Sequence, residues 1–574
     1  MKKSKTRQGV GLAVGLIWGS ALLAQPLSLS ELERRAIEQQ RRAQERQEPL
    51  RAEQERGVDV RLQTPAAVPT GLLPRGEQPC FPIHMLQLDG DEGKRFDSLL
   101  SKANQTPQGL SDPVAGQCLG VQGVQVVLDR LQNALIAQGH VTTRVLVAPQ
   151  HLKTGTLVLT VVPGRVNGLQ RASGTGTRAS LWNTVPITPG DLLNLRDIEQ
   201  ALENFKRVPT AEADIQIAPA DLPGYSNLVI SHRQTFPFRL SAGVDDSGTR
   251  STGKYQGHLT VNYDNWWTLS DLFYVMLNHD LGGSEPGARG TRGHTVHYSV
   301  PWGYWLLSLS SSRNRYHQSV AGANQDYVYS GTSETNDIKL TQVLARDSVG
   351  KTFWGLKGFQ RKSNNFIDDT EVLVQRRVVG GLEWSLGHKR GVGQGNLEAN
   401  LNYRVGTGAW GSLPAPEEPF GEGTSHMRLW QADATLQWPF KFGEMVVTYS
   451  GQLKAQLHKS RLTPQDKFAI GGRFTVRGFD GLNVLSAESG AFWRNEWSTA
   501  LTPGLQTFVG VDHGQVWGPS AANLVGHHLT GVVLGLRGQA GAWQYEAFVG
   551  KPISKPEHFK TASVTAGFSL NVSF

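Results

Sequence analysis

From about residue 236 to the end, the chain alternates apolar and polar residues in one short segment after another. Leu397, Ala399, Leu401, Tyr403 and Val405 are interleaved with Glu398, Asn400, Asn402 and Arg404. Trp430, Ala432, Ala434, Leu436 and Trp438 are interleaved with Gln431, Asp433, Thr435 and Gln437. The chain closes with Val564, Ala566, Phe568, Leu570, Val572 and Phe574 set against Ser563, Thr565, Gly567, Ser569, Asn571 and Ser573. A period of two puts alternate side chains on opposite faces of a strand, so each segment has one oily and one wet face. A soluble sandwich also alternates, but its oily faces meet in a core, and a run of this length exceeds what one sandwich needs. A membrane barrel reads the same pattern as lipid outside and water inside, and at roughly 20 residues per strand with its connection the segment holds about 16 strands.

The N-terminus points to export. Lys2, Lys3, Lys5 and Arg7 precede a short apolar run from Val10 to Trp18, followed by small residues in "GSALLAQP". This is the three-part layout of a secretory signal, with cleavage expected after Ala24 although Leu22 is large for its position. Two cysteines, Cys80 and Cys118, are present, and in an exported chain they are a disulfide or a pair of buried thiols.

Charge and motifs exclude several functions. The net charge is +8, yet no segment concentrates basic residues with interleaved aromatics, so nucleic acid is not an expected partner. The chain contains no HExxH, GxSxG or phosphate loop; "GVGQG" at Gly391 reads as a connector, and adjacent His527 and His528 lack spaced ligand partners. No enzyme activity, cofactor or metal is expected.

Between the signal and the barrel lie three further parts. The stretch "SELERRAIEQQRRAQERQ" has helix-spaced ion pairs, Glu31 to Arg35 and Glu38 to Arg42, without an apolar stripe. Such a helix is surrounded by water, either as a solvated spacer or inside a pore. Proline-rich "QTPAAVPTGLLPRGEQPC" reads as an extended linker. From Phe81 to about Gln234 one strand–helix–helix–strand–strand pattern occurs twice. In the first copy Val124, Val127, Leu128, Leu131 and Leu135 share a helix face, and in the second Ile198, Leu202 and Phe205 do.

These modules resemble POTRA domains, and "GHVTTRVLVAPQHLKTGTLVLTVVPGRV" is similar to the end of a first POTRA in two-partner secretion transporters, the TpsB family of haemolysin-activator and contact-dependent-inhibition type. That resemblance implies a cysteine pair where Cys80 and Cys118 stand. "GVDDSGTRSTGKYQGHLTVNYDNWWTLSD" resembles the start of the family's barrel, with Trp266-Trp267 as a departure. "GGRFTVRGFDG" carries Val476, Arg477, Gly478 and Phe479, which resemble the Val-Arg-Gly-Phe signature of a long extracellular loop that folds back into the barrel. In that family the arginine meets an aspartate on the inner wall in a Phe, spacer, Asp-x-Gly motif, here Phe508, Asp512 and Gly514 in "FVGVDHGQV". The resemblance implies an Arg477–Asp512 pair, with modest energy if the lumen is water-filled.

The expected organisation is a signal peptide (1–24), a plug helix (25–56), a linker (57–79), two POTRA domains of βααββ form (80–164 and 165–235) and a 16-stranded antiparallel transmembrane barrel (236–574). The resemblance further implies an outer-membrane monomer with periplasmic POTRA domains, inserted by the barrel assembly machinery and contacting outer-membrane lipid. Its partner would be the N-terminal secretion domain of a large β-helical exoprotein: haemolysin, adhesin or toxin. A barrel-assembly insertase is the alternative, and a passive porin leaves the modules without a purpose.

Overall fold

The computed structural model describes residues 29–322 and 324–574. The secretory signal and its expected cleavage after Ala24 lie outside the described residues.

Sixteen long strands, from Phe238–Asp245 to Thr565–Ser573, close into an antiparallel barrel in chain order. The two-residue piece Thr370–Glu371 is only a flap on the Gly350–Ile367 strand. Closure is made by the last strand pairing with the first, from Ser569 opposite Asp245 to Ser573 opposite Ser241. The alternation seen in the sequence sets the register: Leu397, Ala399, Leu401 and Tyr403 stand opposite Leu436, Ala434, Ala432 and Trp430 on the outward face. Heights are unequal. The strands Trp305–Ala321, Asp326–Arg346 and Gly350–Ile367 have 17, 21 and 18 residues, against about 9–11 needed to cross a bilayer.

Both modules have cores of their own. The first packs Val127, Leu131 and Leu135 of helix Val121–Ala137 against Leu157, Leu159 and Val161 of strand Thr156–Val162. Where one strand was expected from Phe81, the chain forms two, Phe81–Ile83 and Met85–Asp89; the first pairs with Gln117–Leu119 and the second joins the main sheet. The expected first helix is a 3-10 turn over Gly93–Leu99 continued by a short α segment, Leu100–Ala103. The second module follows its expected order, with Ile198, Leu202 and Phe205 of helix Leu195–Phe205 buried against Ile215, Leu228 and Ile230.

Cys80 and Cys118 are joined as a disulfide with Cα atoms 5.3 Å apart. Beside it, the Glu77 carboxylate accepts from the backbone N–H groups of Gly120, Gln122 and Gly123, capping the helix N-terminus. The disulfide closes a 38-residue separation, so replacing both cysteines by serine should lower the unfolding free energy of this module by about 4 kcal/mol. Denaturant titration of the full chain, followed by proteolysis within 80–164, would measure it.

The second module is seated on the barrel turns nearest to it. Asn183 Nδ2 donates to the carbonyls of Leu269 and Pro301, and Asn204 Nδ2 to that of Gly303. Asn265, in the hairpin that carries Trp266 and Trp267, exchanges bonds with Arg178. The tryptophan departure thus leaves the docking contact intact, and both rings stay exposed with neighbouring aromatics at the barrel rim. Arg346 on the barrel pairs with Glu199 at 3.0 Å and Glu203 at 2.9 Å, and the same two carboxylates accept from the backbone N–H of Leu62 and Val60. The linker is therefore extended but pinned along the modules. Arg346→Ala would leave Glu199 buried with only Arg196 as counter-ion, so the module–barrel junction should loosen by about 3 kcal/mol. Faster hydrogen exchange in 195–205 would report it.

Candidate functional site: a loop lock and a helix inside the barrel

The loop between the strands Met445–His458 and Ser489–Thr502 leaves from the barrel end opposite the modules and turns back into the lumen. A short ladder at its base, Phe468–Ile470 with Leu485–Ala487, stiffens it. Between these pieces the chain delivers Val476 to Phe479 onto the inner wall, where Val476 and Phe479 join a buried cluster with Ile470, Phe492, Val516 and Phe559.

Arg477 and Asp512 are brought together. Nε of Arg477 donates to Asp512 Oδ2 at 2.7 Å, one terminal nitrogen donates to Oδ1 at 2.9 Å, and the Arg477 backbone N–H donates to Oδ2 at 3.0 Å. The planar fork meets both carboxylate oxygens at once, a geometry lysine cannot copy. The pair is not in open water: Arg477 is 5% exposed and Asp512 0%. The modest energy expected of a wet lumen is thus replaced by that of a buried pair, because the loop itself covers it.

The glycines around the lock are steric requirements. Gly478 has φ +98°, and a Cβ there would stand 2.6 Å from the Lys551 carbonyl oxygen. A Cβ on Gly514 would meet Val476 at 2.8 Å, which explains the glycine two residues after Asp512. Phe508 does not touch the arginine's partner; it packs with Val533 and Phe548 under the Arg537 guanidinium, 4.1 Å from its ring centroid.

Sequence reading overlooked several participants. Glu496 accepts from the second terminal nitrogen of Arg477 and also pairs with Arg537. Its signal was the alternation of "FWRNEW", in which Arg494 and Glu496 share the inward face with Phe492 while Trp493 and Trp497 face out. Arg473 pairs with Asp246 at 3.0 Å and donates to the Phe568 carbonyl, tying the loop to both strands of the closing seam. Nothing local in the sequence marks that contact.

Helix Leu29–Gln54 runs through the lumen, and 26 residues at about 1.5 Å each span roughly 39 Å, more than a bilayer's apolar thickness. It is held from several walls. Glu33 meets Arg377 at 2.9 Å, Gln39 donates to Thr249 at 2.9 Å and Gln47 to Asn314 at 2.9 Å. Near the module end Arg51 donates to Ser310 at 3.0 Å, and Glu55, just past the helix, accepts from Tyr274 at 2.8 Å. Arg42 donates to the Gly481 carbonyl, so the helix also touches the lock loop. Sequence reading saw no apolar stripe; the structure finds a small one, Leu32 and Ala36 against Val320 and Tyr329. Most of these contacts are polar and part-buried, and they are spread over several strands. Beyond that small cluster the helix is held by polar contacts.

No group of three or more His, Cys, Asp or Glu stands close enough to hold a metal among the described residues. His527 bonds the Ala521 carbonyl instead.

The family model for haemolysin secretion/activation protein ShlB/FhaC/HecB matches residues 224–538, and two POTRA models, one of ShlB type, match 165–219 and 81–164. The chain belongs to this family. It is 36% identical to outer membrane transporter CdiB-2 of Burkholderia pseudomallei over 94% of this chain and 93% of the relative. It is 22% identical to hemolysin transporter protein HpmB of Proteus mirabilis over 78% of each. Among solved structures, CdiB from Acinetobacter baumannii superposes with a TM-score of 0.82 at 28% identity, covering 96% of this chain and all of that one. The chain is thus an outer-membrane transporter of two-partner secretion rather than a barrel-assembly insertase. Its POTRA domains are periplasmic, which makes the module end of the barrel periplasmic and the lock loop extracellular in origin.

Proposed function

We propose that this transporter exports one large exoprotein of the contact-dependent-inhibition class, the class suggested by its likeness to transporters named CdiB. The POTRA domains receive the partner's N-terminal secretion domain in the periplasm. Each POTRA sheet has edge strands, such as Ala211–Pro219 in the second, to which an extended client can add a strand. The helix along the lumen is the resting plug. It leaves by exchanging polar contacts with the wall for water. The unfolded client then passes as an extended chain or short hairpin, which is what a barrel of this strand number admits. Folding outside the cell supplies the direction. The transporter works as a monomer inserted by the barrel assembly machinery.

The observation that carries this reading is the helix in the lumen: a segment held mainly through polar contacts runs along the path a client would take. The loop lock, Arg477 on Asp512 and Glu496, holds the opposite side of the lumen in one shape while the helix comes and goes. The test compares culture supernatant and cell surface by mass spectrometry between wild type and a deletion strain. Loss of one very large protein, with other barrels at normal levels, is expected. A joint fall of many outer-membrane barrels would overturn the reading.

A further inference from the structure

The strand Arg289–Trp302 and the three tallest strands beside it carry an outward face that has no part in transport. His297 faces the lumen beside Glu55, and Tyr316 and Tyr329 face it beside the helix. By alternation Arg292, His294 and Val296, then Leu309, Ser311, Arg313 and Arg315, face outward on neighbouring strands. On the next two strands Glu334, Asn336 and Ile338, and Gly358, Gln360 and Lys362, do the same.

In register these residues form levels. At the membrane-facing level Tyr298, Leu309 and Ile338 line an outward groove of about 450 Å³ roofed by Trp410. The indole lies over Gly358, where a Cβ would stand 2.9 Å from it. Trp410 has φ +54°, a conformation rare for a bulky residue and therefore one its surroundings must enforce. Along the groove's upper edge runs a polar row across three strands: Ser311 donates to Asn336 at 2.7 Å, Asn336 stands opposite Gln360, and Gln360 donates to the Trp410 carbonyl at 2.6 Å.

One pleat period further out, about 6.6 Å along the strands, stand the cations. Arg313 pairs with Glu334 at 2.9 Å. Lys362 stands opposite that same glutamate, which cannot neutralise both. One step beyond, Arg292 and Arg315 are direct cross-strand partners, and neither has a carboxylate partner among the described residues. Like charges placed opposite each other destabilise a sheet, so this face is built for an anion from outside the protein. By contrast, the strands Met445–His458 and Ser489–Thr502 carry Leu453, Leu457, Trp493 and Trp497 outward. Arg292, Arg313, Arg315 and Lys362 thus stand together on one sector of the extracellular half of the barrel.

We propose that this sector binds a phosphorylated, acylated glycolipid of the outer leaflet. An acyl chain lies in the groove beneath Trp410, sugar hydroxyls and amides meet the Ser311–Asn336–Gln360 row, and phosphate sits on Arg292 and Arg315 with Arg313 and Lys362 at its side. The charge favours a phosphate, since guanidinium and phosphate form forked, charge-assisted bonds. The groove directly beneath favours a lipid over a free anion.

The test titrates the purified full chain with bisphosphorylated lipid A and with its dephosphorylated form, counting complexes by native mass spectrometry. The phosphorylated lipid is expected to bind in preference, and R292Q/R315Q to lower its retention about tenfold. Gly358→Leu, which fills the groove and leaves every cation in place, should lower it as well. Heat-modifiable migration on a gel checks that each variant is folded. Equal uptake of the dephosphorylated lipid, or wild-type retention by either folded variant, would overturn the proposal. Displacement of the lipid by inorganic phosphate at equal concentration would assign the site to a free anion instead and overturn it too.

Discussion

Arg477→Ala is expected to leave the barrel inserted and to abolish most export of the partner protein. The guanidinium makes the forked bond to Asp512 and a third contact to Glu496. Removing it leaves Asp512, wholly buried on the wall, with only Arg494 at 3.8 Å. Breaking such a pair costs about 3–5 kcal/mol, which is about a hundredfold or more in the ratio of locked to unlocked loop. Lysine at 477 keeps the charge but loses the fork, so it should restore little. The barrel ladder involves none of these side chains, so insertion should survive. Surface and supernatant levels of the exported protein, beside heat-modifiable migration of the transporter, separate the two effects. Wild-type export by Arg477→Ala would show that the lock plays no part in transport.

Deletion of residues 31–56 is expected to raise ion conductance several-fold in planar bilayers. The helix runs along the lumen, and its removal leaves inward-facing Asn314, Arg377 and Lys454 to water. These are groups that water solvates well, so the barrel should remain folded and wider open. Export should persist, since the lock loop is bound chiefly to the wall and touches the helix through Arg42. A conductance equal to wild type would show that the helix does not obstruct the pore.

The two predictions probe contacts of different character. The lock is a few bonds made dry by the loop that carries them. The lumen helix is held by many part-buried polar bonds spread over several walls. The first concentrates charge in one forked pair; the second is distributed over single bonds to several strands.

That difference also separates what could be read from the sequence from what could not. A period of two over some 340 residues determined the barrel, its lipid face and its approximate strand number, because alternation is a local consequence of strand geometry. The helical spacing in "SELERRAIEQQRRAQERQ" determined a water-surrounded helix, though not which water, since a spacer and a plug have the same composition. The Val476–Phe479 and Phe508–Gly514 motifs pointed to each other only through family resemblance, the two lying 35 residues apart along the chain between Arg477 and Asp512. Tertiary structure alone decided the rest. It buried the Arg477–Asp512 pair, brought Glu496 to it, fastened Arg473 to Asp246 across the closing seam, and used Glu199 and Glu203 to hold both linker and barrel turn. Each of these depends on residues distant in sequence meeting at the inner wall or at the periplasmic rim. Periodicity fixes which way a side chain points; only closure of the barrel fixes what it meets there.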